Sequence, residues 1–303
     1  MAISRAQLVK ELEPGLNALF GLEYKQYENQ HAEIYTTESS DRAFEEEVML
    51  SGFANAQVKG EGAGVSFDEA QETFSARYTH ETVALAFAIT EEAIEDNLYD
   101  RIASRYTKAL ARSMSNTKQV KAVEPLINGL PTADDFDSGD GVSLFSTAHP
   151  TIAGTYKNTL SAQADLNETS LEQSLIDIAA MTDERGLRIA ARGVKMIIPS
   201  KLQFTAERLM KSQGRTATAD NDINAIASMG MIPQGYRVNN YLTDDDAFYI
   251  ITDVPNGMKM FNRAPLTTAM EGDFDTGNVR YKARERYSFG VSDPRGIFGV
   301  EGA

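Results

Sequence analysis

The chain has 303 residues, 42% of them hydrophobic, with a net charge of −15 and a pI near 4.7. This length can bury the core of one large domain or two interleaved domains, and the lack of Cys excludes disulfides, thiol catalysis and the usual zinc sites. The negative net charge argues against a protein that binds nucleic acid through a broad basic face. The sequence has no long apolar run, and its N-terminus is not a charged segment followed by an apolar one. We therefore expect neither a membrane span nor a secretory signal.

Residues 1–40 predict an N-terminal arm. A short amphipathic pattern that includes Leu16 and Phe20 is broken by Pro14 and Gly15, and scattered aromatic residues follow among polar ones. Such a segment has hydrophobic anchors but little core of its own. We therefore expect it to need another surface on which to lie.

Residues 41–88 change to a period of two, which predicts β-strands. Gly60, Gly62 and Gly64 stand at alternate positions between the strands, which indicates a long hairpin with a flexible tip. The spacing does not fit a dinucleotide loop or a P-loop, because no helix follows and no Gly-Lys-Ser/Thr is present. A two-stranded hairpin is marginal in water, so a neighbour is expected to stabilise it, and a second copy of the chain is one candidate.

The stretch Thr90–Lys121 predicts the longest helix. It has no Pro or Gly, and its apolar or small residues recur every three or four positions. Acidic residues, including Glu95 and Asp96, stand near its start and cations come later, which agrees with the helix dipole. Pro125 and Gly129 are expected to end the helix. We interpret it as a long core helix with one buried stripe.

The chain that follows the long helix predicts a compact mixed domain. A loop-rich segment with an Asp-rich turn comes first, and it lacks the ligand spacing of a calcium loop. A helix over 168–183, a buried strand over Val194–Ile198 and a helix opened by Pro199 follow. Residues 212–230 are interpreted as a mobile loop, and 235–242 and 247–252 as two further strands.

The segment Val279–Val291 predicts a strand with two different faces. Odd positions are mostly apolar, whereas the even ones place four cations on one face. The cations are Arg280, Lys282, Arg284 and Arg286. They either form a solvated face or dock to acids, such as Glu45 to Glu47 or the acidic start of the long helix, in the same or another subunit.

The order of arm, glycine-tipped hairpin, long helix, mixed domain and final strand resembles the major capsid proteins of tailed bacteriophages, which have the Hong Kong 97-type fold. Leu144-Phe-Ser-Thr-Ala-His-Pro150 is similar to a segment of Mu-like major head subunits, and Val194-Lys-Met-Ile-Ile-Pro-Ser200 resembles the family's entry into the A-domain core. The resemblance implies an α+β fold. Its parts would be an N-terminal arm (1–40), an E-loop hairpin (41–88), a P-domain spine helix (89–125), mainly an A-domain (126–265) and a return to the P-domain (266–303).

The resemblance further implies a non-enzymatic shell protein that forms pentamers and hexamers around double-stranded DNA, assembled in the host cytoplasm and present in the virion. A scaffolding protein, a portal and a cement protein would be separate partners, and no cofactor or metal is expected. An encapsulin-type nanocompartment is the alternative, and a carboxylate-based hydrolase has only scattered acids in its favour. One family member cross-links an E-loop Lys to Asn, but no partner for Lys59 is identifiable, so no cross-link is expected. The interface candidates are Glu45, Glu46, Glu47, Lys59, Glu61, Arg280, Lys282, Arg284 and Arg286.

Overall fold

A computed structural model describes residues 5–92, 99–133, 136–214, 222–273 and 277–303. Five α-helices are described: α1 Arg5–Gln26, α2 Tyr99–Asn128, α3 Glu168–Ala179, α4 Gln203–Lys211 and α5 Ala225–Met229. The strands are β1 Thr36–Ser39, β2 Phe44–Leu50, β3 Glu72–Thr79, β4 Glu81–Ile89, β5 His149–Thr151, β6 Gly154–Tyr156, β7 Gly193–Ile198, β8 Tyr236–Val238, β9 Phe248–Thr252, β10 Met258–Gly272, β11 Val279–Val291 and β12 Ile297–Val300. Short 3-10 helices lie at Gln30–Glu33, Ser200–Leu202 and Pro294–Gly296.

A two-layer unit is formed by a four-stranded sheet of order β1-β10-β11-β4 and the helices α1 and α2. Alternate residues of β11, including Tyr281 and Ala283, are buried against the helices. Leu110 and Met114 of α2 and Phe20 of α1 complete this core. The even positions of β11 therefore point away from the helices, because side chains alternate along a strand.

The long helix is confirmed over much of its predicted length, but its limits differ. Residues 91–92 are helical, and the predicted first-turn acids Glu95 and Asp96 lie outside the described residues. At the other end α2 runs through Pro125 to Asn128. Proline removes one helical hydrogen bond. Val123 and Leu126 are fully buried beside it, and this packing holds the last turn in helical form.

The expected break at Pro14 and Gly15 is wrong. One continuous helix, α1, spans both residues. Leu16 and Phe20, which follow the proline, are buried against α2 and β11. Their burial offsets the cost of an interior proline, which is about 3 kcal/mol. The first part of the predicted arm therefore lies on the chain's own long helix.

The predicted hairpin is shorter than residues 41–88. β2 and β3 pair with each other in antiparallel fashion, whereas β4 leaves them and pairs with β11. The connection between β2 and β3, residues 51–71, is here named the distal loop. A turn at its tip is closed by the Ala63 N–H, which donates to the Gly60 carbonyl at 3.1 Å.

A second sheet of order β12-β9-β7-β8 forms the mixed unit, with a core that includes Leu171, Met196 and Phe248. The helix predicted over 168–183 ends at Ala179, and the strand predicted over Val194–Ile198 is β7. Within the predicted mobile loop, α5 forms a short helix, and residues 215–221 lie outside the described part.

The strand β11 has the predicted limits, but its neighbour β10 is missed by the sequence pattern. β10 contains Pro265, and its pairing with β11 shifts register between Asn262 and Thr267. Such bulges place proline where no ladder hydrogen bond is needed, and they also disturb the alternation on which strand prediction depends.

Candidate assembly surfaces

The hairpin formed by β2, β3 and the distal loop exposes apolar side chains. Beyond Ser51, every residue of the distal loop is exposed. Phe67 is 97% exposed and Val58 is 100% exposed. Leu50 and Phe53 are also well exposed. Several large apolar side chains exposed in one segment are typical of a contact surface.

The base of the hairpin is fixed to the first sheet by close packing at Tyr78. Its ring lies edge-on to Phe261 with centroids 4.7 Å apart, and its hydroxyl forms a hydrogen bond with Ser292. Gly290 lies under this ring, and a Cβ at that position would be 2.7 Å from the ring. The absence of a side chain at Gly290 is therefore required for β3 to cross β11.

His80 joins the hairpin to the sheet through two hydroxyl groups. Its Nδ1 lies 2.9 Å from the Ser288 Oγ and its Nε2 lies 2.9 Å from the Ser40 Oγ. Burial lowers the pKa of His80, and the nearby Arg286 lowers it further. The neutral imidazole fits this joint, because one nitrogen accepts while the other donates.

The predicted acids Glu45 to Glu47 do not contact the cations of β11 in the same subunit. Glu45 accepts from Ser40, Glu46 lies 3.7 Å from Arg77, and Glu47 accepts from Lys259 at 2.6 Å. Intramolecular docking of these acids to β11 is therefore wrong. The buried Lys259 fixes the hairpin instead, since its ammonium group also lies 3.1 Å from Glu38.

At the tip of the distal loop, Lys59 and Glu61 are both exposed. Neither forms an ion pair with any acid or base that the structure describes. Lower in the loop, Asp68 accepts from the Ala54 N–H at 2.7 Å and lies 4.0 Å from Arg185. The lower loop is thus tethered to the mixed unit, whereas the tip is not.

The four cations of β11 stand on the open side of the first sheet, and this surface is here named the cationic sheet face. Arg280 pairs with Asp273 of the adjoining turn. Lys282 and Arg284 are exposed and form no ion pair with the described residues. The Nε of Arg286 is buried without a hydrogen-bond partner in the described part.

Small residues flank the cationic sheet face on both sides. Ala84, Ala86 and Ala88 of β4 pair with the positions of Arg284, Lys282 and Arg280. On the other side, Ala269 of β10 pairs with Lys282 and Thr267 with Arg284, whereas the exposed Glu271 pairs with Arg280. Lys282 and Arg284 therefore stand between two rows of small residues, which is a shape that can receive an extended segment.

On the opposite side of β11, sequence reasoning missed Glu285. It is 1% exposed and accepts from the Lys118 ammonium of α2 at 3.2 Å. Burial raises the pKa of Glu285, and Lys118 opposes this effect. The odd position of Glu285 within an apolar row was the signal that could have revealed a buried partner for Lys118.

No group of three potential metal ligands occurs among the described residues. In that same part of the chain, no helix is both long and apolar enough to cross a bilayer.

Comparison with known proteins places this geometry in context. A family model described as "Phage capsid protein" matches residues 72–300. A search of curated proteins gave no match.

Several solved structures are similar in fold. The chain shares 10% identity and a TM-score of 0.57 with the virus-like particle from Pyrococcus furiosus, covering 95% of this chain and 98% of that chain. It shares 11% identity and a TM-score of 0.54 with the capsid of Myoviridae phage XM1, covering 89% of each chain. For the capsid of an empty GTA particle, the identity is 16% and the TM-score 0.51, with 90% of this chain and 89% of that chain covered. These likenesses confirm the expected α+β fold of the Hong Kong 97 type.

Proposed function

The chain belongs to the phage capsid protein family, whose model matches residues 72–300, and we propose that its copies assemble as pentamers and hexamers into an icosahedral shell around double-stranded DNA. The protein is a structural component of the virion, and its assembly in the host cytoplasm is part of the proposal. The main observation in support of assembly is the exposure of Phe53, Val58 and Phe67 in the distal loop of the hairpin. Contact with another copy removes these apolar side chains from water, which favours association.

The hairpin of one copy contacts the cationic sheet face of its neighbour. Apolar side chains of the distal loop lie on the alanine rows, and Glu61 at the tip approaches Lys282 or Arg284. Glu46 is half-exposed and remains a candidate, whereas Glu45 and Glu47 are already engaged within their own subunit. Charge fixes the register of this contact more than its strength, because exposed ion pairs contribute only about 0–1 kcal/mol each.

The test of this contact is the substitution Arg284→Glu. It places an acid opposite the neighbour's acidic loop, so we expect particle formation to be lost while the circular dichroism spectrum is unchanged. Arg192→Glu is the matched control, since Arg192 is exposed on the mixed unit and is not part of the cationic sheet face. Electron microscopy of both variants measures particle yield, and a normal yield for Arg284→Glu would refute the pairing.

Lys59 contributes a non-covalent contact at the tip. No Asn partner and no activating acid are identified for it, so mature particles are expected to run as a single subunit band on denaturing gels. A ladder of covalent oligomers would overturn this assignment.

Scaffolding, portal and cement functions belong to separate proteins in this proposal, and the division of the chain into arm, E-loop, P-domain and A-domain remains a prediction. The alternative of an encapsulin-type compartment has the same fold. Nucleic-acid analysis of purified particles separates the two, because particles that hold an enzyme cargo and no DNA favour the compartment.

A further inference from the structure

The longest helix of this acidic chain carries an acid-free cationic segment. Between Arg101 and Val123 the sequence has six cations and no Asp or Glu, although 44 acids among 303 residues would place about three in a stretch of that length. Two of the six form close ion pairs inside the subunit: Lys118 binds Glu285, and Lys121 lies 3.1 Å from both Glu81 and Glu124. The side chain of Arg101 lies outside the described part of the chain.

Three further cations lie on the outer face of α2, here named the helix cation stripe: Arg105, Lys108 and Arg112. All three are exposed, and their spacing of three and four residues places them on one side of the helix. Lys108 is 4.0 Å from Glu23, while Arg105 and Arg112 form no ion pair with the described residues. The stripe extends over roughly 10 Å at the rise of an α-helix.

The helix cation stripe and the cationic sheet face lie on opposite sides of the two-layer unit. Leu110 and Met114 face the sheet, so the stripe faces away from it, and the even positions of β11 face away from the helices. A shell has one inner and one outer side, so only one of these two surfaces can face the enclosed DNA.

The surroundings of the two surfaces differ. The sheet face has alanine rows and lies open to an extended protein segment. Exposed positions of α2 beside the stripe include the small or polar Ala109 and Asn116, and the exposed Tyr106 next to Arg105 leans towards the sheet, its ring 5.8 Å from that of Phe87. Centres of protein–protein interfaces are depleted in charge, while interfaces with DNA are polar and strongly positive.

We propose that the helix cation stripe contacts the phosphate backbone of double-stranded DNA without sequence preference. This inference rests on the proposed function for the source of the DNA, and it assigns the helical side of the unit to the interior of the shell. The contact is weak, because the net charge of −15 opposes it and only two or three phosphates are reached.

The experiment measures binding of the unassembled chain to a fluorescent duplex of mixed sequence by anisotropy at several salt concentrations. Each phosphate contact contributes about 0.9 to the slope of log affinity against log salt. The variant Arg105→Gln/Arg112→Gln should therefore bind more weakly and lose about 1.8 of that slope. The charge-retaining variant Arg105→Lys/Arg112→Lys should keep it.

The matched control is Lys282→Gln/Arg284→Gln, which removes the same charge from the opposite side and should leave DNA affinity and slope unchanged. Equal loss in both double variants would refute the proposal, because net charge alone would explain it. No DNA binding by the wild-type chain would also refute it. Loss of particle assembly in Arg105→Gln/Arg112→Gln with unchanged DNA binding would identify the stripe as a subunit surface instead. Failure of the proposed function is a separate result, namely the absence of particles from the wild-type chain by electron microscopy.

Discussion

Acid should weaken the fold through His31, a residue of the first 3-10 helix that is buried in its neutral form against α2. The backbone N–H of His31 donates to the Gln119 Oε1 at 2.9 Å. The other end of this side-chain amide, the Gln119 Nε2, therefore faces the His31 ring nitrogen Nδ1 at 3.0 Å. That amide donates, and Nδ1 must therefore accept and carry no proton. Burial lowers the pKa of His31 from 6.5 to about 4, with a further contribution from the nearby Lys118.

The size of the effect follows from proton linkage. The unfolded chain binds a proton at His31 near pH 6.5, and the folded chain does so only near pH 4. Stability from neutral His31 is thus fully present above pH 6.5 and declines as the pH falls towards 4. A difference of this size corresponds to about 3 kcal/mol in the free energy of unfolding.

Urea titrations of the unassembled chain at pH 7.5, 5.5 and 4.5 measure this decline. The variant His31→Asn keeps an acceptor near the Nδ1 position but cannot titrate, so the stability gap between wild type and variant should shrink or reverse towards pH 4.5. Other groups titrate equally in both proteins and cancel in the difference. A gap that stays constant with pH would refute the neutral, buried state of His31.

Two further predictions concern the crossing of β3 over β11 and the buried ion pair. Gly290→Ala should lower the free energy of unfolding by about 1–3 kcal/mol, because its Cβ would press on the Tyr78 ring, while Gly64→Ala in the open distal loop should change it by less than about 0.5 kcal/mol; equal urea midpoints for the two variants would contradict this. Glu285→Gln should cost about 3 kcal/mol in the same assay because it leaves the Lys118 charge without its partner, and adding Lys118→Met should recover much of the loss; a double variant as unstable as Glu285→Gln alone would contradict the pairing.

Local patterns predicted those elements whose periodicity is undisturbed. The helix α2 and the strand β11 were recognisable because both keep their period over many residues. The strand β10 was missed because Pro265 and its bulges interrupt the alternation. The break assigned to Pro14 was wrong because packing on α2 outweighs the local preference of proline.

The candidate surfaces were predicted by residue type but not by partner. The exposed cations Lys282 and Arg284 follow from the alternation of β11 alone. The engagement of Glu47 by Lys259 does not, since 212 residues separate the two in the chain and only the folded structure brings them together. Glu285 was hidden for the same reason, because its partner lies on another element.

The joint at Tyr78, His80 and Gly290 attaches only the base of the hairpin to the first sheet. A small rotation there therefore produces a large displacement of the tip. The chain from Phe44 to the tip at Glu61 extends up to roughly 55 Å. A rotation of only about 5° at the joint would therefore displace the tip by about 5 Å, which is about the spacing of neighbouring strands. Because Arg185 holds the lower loop at Asp68 while the tip forms no ion pair with the described residues, such a rotation would disturb the contact of Asp68 with Arg185 and leave the cores of the two sheets unchanged.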